Sequence, residues 1–122
     1  MVMLNDRVLD NGLTVLDTEA NRLDICTQEP ATYTEATSTY TKGNKTSLSV
    51  GSPAARSPSG RKVTVAAITD GTVSGTGTVT HYAITDTVNS RLLAAQSLSA
   101  SQAVTSGNTF TLGAFDIGIP GP

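Results

Sequence analysis

The sequence predicts an all-β domain, a β-sandwich of about seven to eight short antiparallel strands preceded by a short N-terminal helix. Three observations predict it. Beyond Asn21 the chain turns to Thr, Ser and Gly interrupted by short apolar alternations, the period-2 pattern of half-buried strands. Turn signals recur between these alternations at Asp70-Gly71, Asp86 to Ser90 and Ser106-Gly107-Asn108. Finally, 122 residues suit one core, because two cores would each be too small to offset chain entropy. Residues 1–20 therefore read as an N-terminal helical segment and residues 21–122 as the β-sandwich domain.

In the first segment Leu9, Leu13 and Leu16 recur at helical spacing with Asp6, Asp10 and Asp17 between them, which predicts a helix from Leu4 to Thr18. Asn11-Gly12 weakens it, since Gly costs about 1 kcal/mol against Ala inside a helix. The leucine stripe must be buried either on its own sheet or on a neighbour.

Leu23 and Ile25 alternate with Asp24 and Cys26 in the first strand, and Pro30 stops it because proline cannot donate to a ladder. Residues 31–44 are polar with two tyrosines and read as a surface loop. Leu48 and Val50 form a second strand, ending at Gly51-Ser52-Pro53. Lys62 to Thr69 has the strongest strand pattern and is placed centrally, with Val63, Val65 and Ala67 on one face. Asp70-Gly71 then predicts a tight turn with Val73 pairing back. Val79 to Thr85 and Arg91 to Leu98 form a hairpin, and Phe110, Leu112, Phe115, Ile117 and Ile119 fill the last strands.

Aromatic residues make up 4% of the chain, so the core is built from Val, Ile, Leu and Ala. Charged residues make up 15%, below the roughly 25% of ordinary soluble domains, and the net charge is −2. Basic residues are scattered, Arg61-Lys62 being the densest pair, which argues against nucleic acid as a ligand. No stretch approaches the roughly 18 apolar residues of a membrane span, and the start lacks a basic region followed by an apolar run. Cytoplasmic synthesis is the expectation. Cys26 is the single cysteine, so no disulfide within the chain is possible.

No residue pattern carries catalysis or metal binding. His81 is the single histidine and lacks an adjacent nucleophile and acid of the kind a Ser-His-Asp site needs. No CxxC or HxxxH spacing accompanies Cys26 or His81, which excludes a transition-metal motif. Asp70, Asp86 and Asp116 could meet around a calcium ion, but aspartates at turns are explained as well by bonds to their own backbone. Gly71 to Gly77 lacks the Lys-Ser/Thr end and following helix of a phosphate-binding loop, and reads as a bulge or turn. Asn44-Lys45-Thr46 matches a glycosylation sequon, which matters only in a secretory setting. The expectation is no enzyme, no catalytic, cofactor or metal residues, and no cofactor.

Four stretches carry a resemblance: Asn21-Arg22-Leu23-Asp24-Ile25-Cys26-Thr27-Gln28-Glu29-Pro30, Gly77-Thr78-Val79-Thr80-His81-Tyr82-Ala83-Ile84-Thr85-Asp86, Leu92-Leu93-Ala94-Ala95, and Gln102-Ala103-Val104-Thr105-Ser106-Gly107-Asn108-Thr109-Phe110. Together they resemble small virion structural proteins of tailed bacteriophages. The resemblance implies a virion location and partners among virion proteins, above all the major capsid protein. The function it implies is capsid decoration, binding and stabilising the shell lattice. The alternative is a tail, neck or fibre-associated protein that contacts other tail proteins or the host surface. Analogy with decoration proteins also implies a homo-oligomer, a trimer suited to the local three-fold positions of an icosahedral shell.

Overall fold

The computed structural model describes residues 3–4, 13–55 and 61–119. Within them it is all-β and sandwich-like, as expected, with a short helix near the N-terminus and two antiparallel sheets. The strands are β1 (Met3–Leu4), β2 (Arg22–Cys26), β3 (Thr41–Thr46), β4 (Ala54–Ala55), β5 (Arg61–Val65), β6 (Ile68–Val73), β7 (Gly77–Asp86), β8 (Arg91–Val104), β9 (Thr109–Leu112) and β10 (Phe115–Ile119). The larger sheet is ordered β1-β8-β7-β2-β3-β6-β9 and curls; the smaller is β10-β5-β4.

The main core lies between the two sheets. Leu23 and Ile25 of β2, Tyr82 and Ile84 of β7 and Phe110 of β9 meet Val63, Val65 and Ile117 of the smaller sheet. Tyr82 and Phe115 stack across this boundary with ring centroids 4.6 Å apart and planes tilted by 47°, a favourable offset for aromatic pairs. With few aromatics, the core depends on many aliphatic side chains removed fully from water, and burial of each contributes on the order of 1.5–3 kcal/mol.

Within the described residues the helix α1 spans Thr14–Glu19 and Leu4 lies in a strand paired with Ala94; residues 5–12 of the expected helix lie outside the described residues. Leu13, Val15 and Leu16 are buried in the main core, so this part of the leucine stripe is covered by its own sheets; Leu9 lies outside the described residues. Six residues give α1 little stability by themselves, and its packing holds it.

Residues 31–44 are not a free loop. A π-helical turn at Glu35–Thr39 lays Ala36 against the outer face of the larger sheet, and β3 begins at Thr41. The sequence Thr-Lys-Gly-Asn-Lys-Thr has no apolar alternation because β3 is held by backbone pairing to β2 and β6. Gly43 is required there: a Cβ would collide with the Thr72 carbonyl of β6.

Three further expectations change. Lys62 to Thr69 is not one strand: β5 ends at Val65, exposed Ala66 and Ala67 turn the corner, and Ile68 enters the other sheet. Strands that switch sheets commonly do so through such bends. Leu48 is buried, but Val50 makes only an isolated bridge to Val65 in place of a strand. Asp70-Gly71 lies inside β6 and is no turn, and Val73 does not pair back. Its two sides are already taken, by Gly43 of β3 and, through the adjacent Thr72, by β9. The hairpin of β7 and β8 is present as expected, although β8 runs on to Val104.

Gly71 has a packing reason in place of a turn reason. A Cβ at this position would collide with the edge carbons of the Phe110 ring. Gly71→Ala should therefore destabilise the fold by about 1–3 kcal/mol, the cost of forcing extra volume into a packed core. Gly113→Ala, where a Cβ meets nothing within 4 Å, should leave stability nearly unchanged. Urea unfolding of both variants checks the contrast, and equal stabilities would contradict it.

Candidate functional site

The polar residues singled out in the sequence separate into three places: the outer face of the larger sheet, the strand ends, and a cleft beside β8. On the outer face, Cys26 of β2 lies in register with His81 of β7, which lies in register with Ser97 of β8. Residues directly opposite in antiparallel strands share a face. The row above it holds Asp24, Ala83 and Ala95. Ala36 and Tyr40 cover these small side chains and form a second, thinner core with Cys26, Ala83, Leu92 and Ala95.

Val79 and His81 have the same parity in sequence, yet Val79 is buried in the main core and His81 faces the other side. The register shift between Val79 and His81 reverses the alternation. The Thr80 hydroxyl donates to the Thr27 carbonyl at 2.9 Å and lies 2.8 Å from His81 Nδ1. A hydroxyl has one proton to give, so it accepts from Nδ1–H, which fixes the tautomer. Thr80, with His81 as its second partner, thus ties β7 to the chain leaving β2.

Cys26 is fully buried, and its thiol points to the Ala36 carbonyl 3.6 Å away. Burial, with the Asp24 carboxylate nearby, pushes its pKa up to about 12. It is a small core residue and no thiolate nucleophile at neutral pH.

Asp24 is the buried ion on this face, at 0% exposure. The Arg22 guanidinium donates Nε–H at 2.7 Å and a second N–H at 2.9 Å to its two oxygens, and the Thr41 hydroxyl donates at 2.6 Å. Burial pushes the Asp24 pKa above the ordinary value of 3.8, against the opposing pull of Arg22 and Thr41. The bonds to Asp24 raise Arg22 in turn. This bidentate pair joins two positions of β2 to the start of β3.

The three aspartates weighed as a calcium site lie apart in the fold. Asp70 pairs with Lys45 across β6 and β3 at 3.0 Å. Asp116 on β10 accepts from Thr64 at 2.6 Å and Lys62 at 3.0 Å, and these two donors hold its pKa below the ordinary value. Asp86 is buried at the end of β7 and accepts from the Val88 and Asn89 backbone N–H groups and the Asn89 side chain, at 3.0, 3.3 and 2.8 Å. Only Asp86 is thus a turn aspartate; the other two are cross-strand partners of lysines. Among the described residues no group of three or more His, Cys, Asp or Glu side chains could hold a metal ion. The sequon Asn44-Lys45-Thr46 lies within β3, between β2 and β6.

Residues 71–77 comprise the end of β6, a bend at Ser74–Thr76 and the first residue of β7. Ser74 and Gly75 donate their N–H groups to the Lys42 carbonyl at 2.8 and 3.1 Å. The bend is closed on β3, and these two N–H groups are already engaged.

A cleft of about 270 Å³ opens between the distal half of β8 and β9. Ile25, Val73 and Val79 line its floor, and Gln102, Thr105 and Asn108 are among the residues at its rim. A neighbouring cleft of about 350 Å³ shares Leu98 and Leu112 and reaches Gln96, Phe115 and Asp116. Sequence reasoning missed this feature, because it arises where the curled sheet brings its two ends close. At the other end of the molecule the turn at 87–90 presents Val88, 80% exposed, on a frame held by Asp86 and by Asn21, which accepts from Thr87.

Comparison with known proteins identifies no relative: no family model matches the chain, and no curated protein or solved structure matches it. The geometry therefore defines a class alone, a β-sandwich whose polar groups brace its strands.

Two predictions follow from the outer face. Asp24→Ala should cost about 2 kcal/mol, the loss of charge-assisted bonds tempered by the access of Arg22 to solvent. Asp24→Asn should cost less, because the burial penalty on the charge disappears. The sign with pH is fixed: the folded Asp24 pKa lies above the unfolded one, so the folded state retains its proton further up the pH scale. Wild type should lose stability relative to Asp24→Asn as pH rises through and above 3.8, measured by urea unfolding at successive pH values; the opposite slope would refute it. For Cys26, a thiol reagent should label the native protein at least ~100-fold more slowly than the unfolded chain.

Proposed function

We propose that this chain is a bacteriophage virion structural protein that decorates the capsid, binding the major capsid protein lattice as a homo-oligomer, a trimer by analogy with decoration proteins, and performs no catalysis. The observation that supports this reading best is where the titratable groups lie. Asp24, Asp70, Asp86 and Asp116 are each engaged in bracing strands or turns, and His81 is engaged by Thr80. Of these, Asp116 alone reaches either of the two clefts described, and its carboxylate is held there by Thr64 and Lys62. The cleft between distal β8 and β9 is instead lined by Thr, Asn, Gln, aliphatic residues and Phe110, a surface suited to contact with protein.

The resemblance of the quoted stretches to phage virion proteins supplies the location. A rigid sandwich with strand ends tied by Asp86 and Lys62–Asp116 gives partners a preorganised surface, which lowers the ordering cost of association. A tail module that binds sugars would present stacking aromatics. Of the tyrosines, Tyr82 is buried in the core, while Tyr33 and Tyr40 are half-buried, an arrangement that favours decoration over the tail, neck or fibre alternative.

The test is the copy number of the chain relative to the major capsid protein in purified particles, together with co-sedimentation of the purified protein with capsids lacking it. Decoration expects hundreds of copies and saturable capsid binding. A few to a few dozen copies, with binding to tails alone, would establish the tail-associated reading instead. Hydrolysis of cell-wall polymer by the purified protein would overturn the structural reading altogether.

A further inference from the structure

The outer edge of β8 differs from the other strands of the larger sheet. β7 pairs along it from Arg91 to Val104, but on its other side β1 covers only Ala94 and Ala95. From Gln96 to Val104 no described residue pairs with that outer edge. Leu98 to Ser101 also lack partners on β7, because the register steps from Val79↔Gln102 to His81↔Ser97. Backbone donors and acceptors of this stretch thus find no ladder partner among the described residues and form an open strand edge there.

Strand edges that stay single are ordinarily guarded by Lys, by Pro or by charges. This one has none of them: between Arg91 and Asp116 the sequence contains no Asp, Glu, Lys, Arg, His or Pro. The fold gathers that uncharged stretch on one side, where distal β8, the turn at 105–108 and β9 surround the cleft. Leu98, Val104 and Leu112 pack partly buried against the core there. Depletion of charge at the centre of a patch is the compositional mark of an interface. The bulge at Leu98–Ser101 interrupts the flat run of β8, which disfavours open-ended stacking while leaving its backbone groups available.

Charge also selects the occupant. A charged partner segment would desolvate its charges against Ser, Thr, Ala and Gln with nothing to pair them. A second copy brings no charge to the contact and therefore no like-charge repulsion, and Ser97, Ser99, Ser101 and Gln102 offer both donors and acceptors to one another. We propose that the outer edge of β8 from Gln96 to Val104, with the adjoining rim of β9, is the surface through which copies of this chain associate. The inference deepens the homo-oligomer of the proposed function and rests on that reading only for where the oligomer acts.

The test compares wild type with Ala100→Lys/Ala103→Lys, both positions being exposed, and with Thr87→Lys as a control on an exposed turn. Light scattering should show wild type and the control associated at ~100 µM and the double variant monomeric, while at ~1 µM, where wild type is dissociated, the two have the same thermal midpoint. In hydrogen exchange, the amides of residues 96–104 should slow at least ~10-fold between ~1 µM and ~100 µM wild type, and not in the double variant. A wild type that stays monomeric at ~1 mM overturns the proposal, as does association that survives both lysines with the edge amides unprotected. An oligomer that ignores capsids would sustain this inference and refute decoration; a monomer that binds capsids would do the reverse.

Discussion

The structure depends on strand β2 being covered on both faces. Leu23 and Ile25 point into the main core, while Asp24 and Cys26 point outward and are just as completely buried. A strand buried on both sides needs a second layer over its outer face, and the segment after β2 provides it by folding back as a π-helical turn. That layer is close, so its contacts are small: Ala36, Ala83, Ala95 and the thiol of Cys26. Larger side chains at these positions would lift the turn away from the sheet.

The same constraint explains the polar interior. Once the turn covers the outer face, Asp24 cannot reach water, and it remains ionic only because Arg22 and Thr41 supply three donors. Such a pair adds little net stability over a well-packed apolar substitute, since desolvation offsets most of the attraction. Its geometric consequence is larger: Thr41 is fixed at the start of β3, beside the register shift at Cys26, so the pair sets where β3 begins to pair. His81 and Thr80 perform a similar service on the other side of β2, holding the Thr27 carbonyl as the chain leaves the strand.

Covering both faces at the centre of the sheet leaves the ends to differ. At the centre β2 is paired along its length on both sides, whereas distal β8 and β9 border a cleft that the described residues do not fill. Charge follows the same division: ion pairs stitch β2, β3, β5, β6 and β10, while the stretch from Leu92 to Phe115 is uncharged.

By itself the sequence determined the all-β class, the strand β2, the β7–β8 hairpin and the last two strands, because period-2 alternation and Asp or Gly turn chemistry are local properties. It also determined that Asp86 closes a turn and that Cys26 forms no disulfide within the chain. Only the tertiary structure decided the rest. β3 was illegible because its residues are polar and its reason for existing is backbone pairing on both sides. The break at Ala66–Ala67 was illegible because alternation continues through a corner where the chain changes sheets. Asp70-Gly71 has the local signature of a turn, yet a ring from β9 and a lysine from β3 claim those residues for a strand. The opposed orientations of Val79 and His81 follow from a register shift against the next strand of the hairpin, which the alternation within β7 does not record.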